Sequence, residues 1–152
     1  MINTMGFKRT KNNIDDYHQK IINDTLYSIQ QALELTMREL VIYAKSGQFM
    51  NKNWKDQSSA LRNSIGYHIY YNSQLVASSF SGPEEGVKQG DDYAKSLSAG
   101  DNDSGFVCVF VAGMDYALYV ESKGFGVISG PALQFDNVFK NHFEEIKNNL
   151  KK

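Results

Sequence analysis

Three histidines, one cysteine and a short run flanked by two carboxylates are the side chains here that could do acid–base, nucleophilic or metal chemistry. His18, His68 and His142 stand far apart in the chain. None has a second histidine or a carboxylate at the i, i+4 spacing of a zinc-binding helix, so we read each as structural. Cys108 lies inside Phe-Val-Cys-Val-Phe. An apolar setting disfavours the thiolate that a nucleophile needs, so Cys108 reads as a core residue. Asp115 and Glu121 flank Tyr116-Ala117-Leu118-Tyr119-Val120. With a histidine they could form the acid–base set of a small hydrolase, provided they converge on one pocket. Gly124-Phe125-Gly126 and Gly130 lack the Lys-Ser/Thr ending of a phosphate loop and read as a turn. These residues imply no cofactor and no metal.

The elements that must position these residues follow from periodicity. Ile22, Leu26, Ile29, Leu33, Met37, Leu40 and Ala44 recur every three or four residues, which predicts one long helix over 14–46. Asp15 and Asp16 suit its start, and Gly47 suits a left-handed cap after Lys45. Residues 48–57 read as a polar connector with the only tryptophan, Trp54. Residues 58–64 suit a helical turn with a serine as N-cap. Tyr67 to Tyr71 and Leu75 to Phe80, with Asn72-Ser73 between them, predict a β-hairpin. Phe106 to Val111 is the most apolar run and reads as a central strand covered on both faces. Residues 115–122 suit one or two helical turns, and 123–130 a loop with a short strand. A last helix over 133–150 follows Pro131. The expected fold class is α+β: a long N-terminal helix, an antiparallel sheet of about three to four strands with a hairpin, and a C-terminal helix.

Composition bounds the rest. The chain has 152 residues, enough for one domain with its own core. We expect a flexible arm over 1–13 and a single α+β domain over 14–152, with an acidic loop inserted at 81–104. That loop holds six acidic residues against two lysines, with a short helix near Tyr93 to Leu97. Sixteen basic against seventeen acidic residues give a net charge of −1, which does not suit a protein that grips a nucleic-acid backbone. A single cysteine excludes an internal disulfide. Mean hydropathy is −0.44, and neither a membrane span nor a signal peptide is evident, so the composition leads us to expect a soluble intracellular protein.

Two segments carry a resemblance. Ser59-Ala60-Leu61-Arg62-Asn63-Ser64-Ile65 stands just ahead of the first long strand. Tyr116-Ala117-Leu118-Tyr119-Val120-Glu121 is followed by Gly124 and by Gly130-Pro131-Ala132-Leu133. Together, in this order and over roughly 14–150, they resemble the head–tail joining and tail-completion proteins of tailed bacteriophages. Ser59 replaces the glycine usual in that family, Ser122-Lys123-Gly124 replaces a tighter turn, and the 81–104 excursion is longer.

The resemblance implies a non-enzymatic structural protein of the phage neck or tail. Such a protein is made in the bacterial cytoplasm and resides in the virion. Its partners would be other neck or tail proteins and copies of itself in a ring. Leu61, Arg62, Ser64, Ile65, Tyr116, Ala117, Tyr119, Val120, Glu121, Gly124 and Pro131 match the motifs. They serve either as fold maintenance, with Glu121 as a cap or in an internal ion pair with Arg62, or as subunit contacts, for which Tyr and Arg are suited. The alternatives are the hydrolase above and a host-side binding module using the Tyr-rich hairpin.

Overall fold

The computed structural model describes residues 13–49, 52–53, 59–97 and 104–151. Residues 1–12 of the arm expected over 1–13, and Trp54, lie outside the described residues. Helix α1 spans Ile14–Ser46 and ends where Gly47, at φ 66°, donates its N–H to the Ala44 carbonyl. The apolar stripe that predicts it is used unevenly. Leu33, Met37, Leu40 and Ala44 are buried, whereas Ile22 is exposed. The first third of the helix therefore extends past the core that its second half anchors.

Two short strands, β1 (Gln48–Phe49) and β2 (Lys52–Asn53), form a ribbon inside the expected connector. Helix α2 (Ala60–Asn63) follows. Ser59 occupies its N-cap position without a side-chain cap bond, at φ 60°, so the capping serine expected there is not one. Strands β3 (Ile65–Tyr71) and β4 (Gln74–Ser79) form the expected hairpin. Asn72 and Ser73 both adopt positive φ, as a two-residue turn matching the strand twist requires.

Helix α3 (Glu84–Leu97) corrects the acidic loop: most of 81–104 is helical. Its glycines explain both the misreading and the packing. A Cβ at Gly90 would sit 2.4 Å from the Ser64 carbonyl oxygen, and one at Gly86 would sit 2.4 Å from that of Ala60. One face of the helix is stripped to backbone so that it can approach the α2–β3 junction.

Among the described residues, strand β5 (Phe106–Ala112) pairs only with β3. The sheet order is β4-β3-β5, all antiparallel. The apolar run is thus an edge strand rather than the central one, and the buried centre is β3. Its apolar pattern reflects cover on both faces. Tyr67 and Ile69 of β3, with Cys108 and Phe110 of β5, face α1 and the last helix. On the other face, α3 packs against β3 and β5.

The chain closes with α4 (Ala117–Val120), a wider helical turn over Glu121–Phe125, α5 (Ser129–Ala132) and α6 (Phe135–Asn149). Positive φ at Gly124 and Gly126 turns the backbone where a short strand was expected. Helix α6 lies on α1, with Phe135, Phe139 and Phe143 stacked along it at centroid spacings of 6.0 and 5.8 Å.

Candidate functional site

The two motif segments lie more than fifty residues apart in sequence and meet in one cluster. Leu61 and Ile65 pack with Ala44 and Val127, and Ala117 and Val120 close over them. Ser64, also buried, donates its hydroxyl to the Leu61 carbonyl at 2.8 Å and so holds the turn into β3. Pro131 is fully buried at the start of the C-terminal helices. Gly124 supplies a left-handed residue in the turn. These motif residues maintain the fold.

Glu121 does the same, as a cap rather than as a partner of Arg62. Its carboxylate accepts the N–H of Ile128 at 3.0 Å and that of Ser129 at 3.3 Å. Burial alone would raise its pKa. The Ser129 hydroxyl and the N–H groups of Ile128, Ser129 and Val127 outweigh that and hold the carboxyl below its ordinary value. The groups acting on Glu121 are those of 127–129, which corrects the expected pairing with Arg62. The carboxylate staples the 126–129 turn to the end of α4.

Tyr116 and Tyr119 stay on the surface. Tyr119 is exposed under the ammonium of Lys123, 5.1 Å from its ring centroid, and Leu118 beside it is 77% exposed. Leu118 borders a groove of about 460 Å³ at the end of β5. Tyr93 and Leu97 of α3 form one wall, and Leu118, Val127 and Ile128 the other. Phe110 to Gly113 form the floor. Asp115 and Glu121 both reach this groove, but no histidine lines it.

The histidines are elsewhere. His68, fully buried on β3, places Nε2 2.7 Å from Asp91 Oδ1 and Nδ1 2.9 Å from the Tyr70 hydroxyl. Asp91 also accepts from Lys95, which with His68 holds its carboxyl low against the cost of burial. This chain of contacts ties α3 to the centre of the sheet. His142 on α6 places Nε2 2.8 Å from Glu39 Oε2. Glu39 also accepts from Tyr43, and that bond is the larger cause of its lowered pKa. Sequence reasoning missed both pairs. Their members lie 23 and 103 residues apart, and only reading 84–97 as a helix would have set Asp91 and Lys95 on one face. His18 lies on the exposed start of α1. Cys108 is half-buried, and burial pushes its thiol up to about 11. Of the hairpin tyrosines, Tyr67 turns into the core while Tyr70 and Tyr71 are half-buried.

Among the described residues, no cluster of three or more potential metal ligands occurs, and no helix is long and apolar enough to cross a membrane. No protein-family model, curated protein or solved structure matches the chain.

Proposed function

We propose that this chain is a structural subunit of a tailed phage or prophage, one that joins head to tail or completes the tail by docking into a ring. The observation that carries this reading is the first third of α1. Ile14, Tyr17, Ile21, Ile22 and Tyr27 are all exposed on a helix that runs past its own core. An isolated helical segment of this length is marginal in water. Ile14, Tyr17 and Ile21 share one face of it, and exposed apolar side chains grouped in this way mark a protein contact. Leu118 and Tyr119 on α4, with Leu133 near α5, add a second exposed apolar region at the other end of the molecule. Two unlike surfaces at opposite ends are what head-to-tail ring assembly uses.

The motif resemblance supports the same reading through one strained residue. Ser59, where the resembled family carries glycine, sits at φ 60°, in the region that favours glycine. The partners are other neck or tail proteins and copies of the chain. The site of action is the virion, reached from the bacterial cytoplasm.

Electron microscopy of particles lacking the gene tests this directly. We expect tailless heads, or tails that are unjoined or incomplete. Normal particles with joined, full-length tails would overturn it. Ile21→Asp combined with Ile22→Asp should keep the thermal midpoint of the isolated chain and abolish complementation of the deletion.

A further inference from the structure

We propose that residues 1–7 of one copy add as a strand to the outer edge of β5 in the next copy, linking copies head to tail. This deepens the assembly reading and rests on it.

The register fixes which groups are available. Gly113 N–H donates to Ser64 O at 3.2 Å, and Asn72 N–H donates to Gly105 O at 3.0 Å, at the two ends of the β3–β5 ladder. Antiparallel pairs alternate between bonded and non-bonded positions. Residues 107, 109 and 111 therefore bond toward β3. Phe106, Cys108, Phe110 and Ala112 turn their N–H and C=O groups outward. Among the described residues, no hydrogen bond reaches those outward groups. The strand also lacks the devices that protect an edge: it has no charge, no proline and no bulge in its pairing. The groove meets this strand at its Phe110–Ala112 end, where Tyr93 and Leu97 of α3 and Leu118, Val127 and Ile128 also line it. That is the setting in which an extended peptide adds to a sheet.

Charge and length select the occupant. The charged side chains in the groove are Asp115 and Glu121, and Glu121 is already taken up by the 128–129 backbone. Asp115 makes no hydrogen bond or ion pair among the described residues, so the groove presents one negative charge. Of the segments outside the described residues, 98–103 carries Asp101 and Asp103, of the same sign, and 54–58 is only five residues long. Residues 1–12 carry Lys8, Arg9 and Lys11 and no acid, after the apolar Met1, Ile2, Met5 and Phe7. The basic residues follow the apolar ones just as Asp115 follows β5, so the arm runs parallel to that strand.

The arm cannot fill its own groove. The groove lines the same cluster as Ala44, whereas the arm joins α1 at Ile14. Thirty residues of helix separate those points by about 45 Å. With residues 1–7 in the groove, the six or seven that remain before α1 span at most about 24 Å. The strand must come from a neighbour. The contact is then heterologous, and it propagates as a ring or a filament.

Hydrogen exchange on the full-length chain over a concentration series, and with an added synthetic peptide of residues 1–12, tests this. We expect the amides of β5 that point outward to slow at least tenfold on association or on peptide addition. Lys8→Glu with Arg9→Glu and Lys11→Glu should weaken association at least tenfold without changing the thermal midpoint. Asp115→Lys should do the same, and combining it with the arm reversal should restore association. If association is indifferent to these charges and the β5 amides exchange alike in free and associated or peptide-treated chain, the arm contact is wrong and the assembly reading stands. If particles lacking the gene are also normal, both fail.

Discussion

The two edges of the three-stranded sheet are built differently. β4 is mostly exposed, carries Gln74, Ser78 and Ser79, and has a bulge opposite Ile69 and Tyr70. Polar residues and a bulge are ordinary protection for a strand that faces water. β5 is apolar throughout, pairs in regular register and borders a groove. The sheet is polar where its edge strand faces water and apolar where helices cover both faces of its edge strand. Apolar character thus signals not only the centre of a sheet but also an edge strand whose two faces are covered.

The largest expected effect is on the wall that α3 gives to the β5 side. Gly90→Ala places a methyl against the Ser64 carbonyl and should cost about 3 kcal/mol in denaturant unfolding. A loss under about 0.5 kcal/mol would mean that α3 is not seated on β3 and β5 as described. Next is the tie beneath that wall. Asp91→Ala leaves Nε2 of the buried His68 ring without its partner and should cost about 2 kcal/mol.

A same-type pair then compares the edges directly. Val111 on β5 is 2% exposed and Val76 on β4 is 36% exposed. Val111→Ala should lower stability by about 1.5 kcal/mol and Val76→Ala by less than about 0.5 kcal/mol. Equal losses would remove the distinction between the two edges.

The smallest effect concerns pH at the groove wall. Folding lowers the pKa of Glu121, so its contribution is intact above the ordinary glutamate value of 4.5 and is lost as pH falls through the lower folded value. Urea midpoints measured from pH 7 to pH 3 should fall on the acid side. Glu121→Gln should flatten part of that fall, the remainder belonging to Asp91 and Glu39, whose pKa values are lowered too.

Much of the fold was legible. The three- and four-residue stripe with Gly47 marked α1, and alternation around Asn72-Ser73 marked the hairpin. Helix α3 was not legible, because its glycines and acids oppose helix formation locally while tertiary packing on the Ser64 and Ala60 carbonyls requires them. Of the candidate site, the motif residues were legible as a group. The division between buried Leu61 and Ile65 and exposed Tyr119 was not, since the letters carry no exposure.

The sequence by itself determined the α+β class, the long first helix, the hairpin and its turn, because these depend on short-range periodicity and on backbone preferences of single residues. Only the tertiary structure decided that β5 is an edge, that Glu121 holds the 127–129 backbone, and that His68 meets Asp91 and His142 meets Glu39. Those contacts join residues far apart in the chain, and which of many possible partners each group takes is set by how whole elements pack.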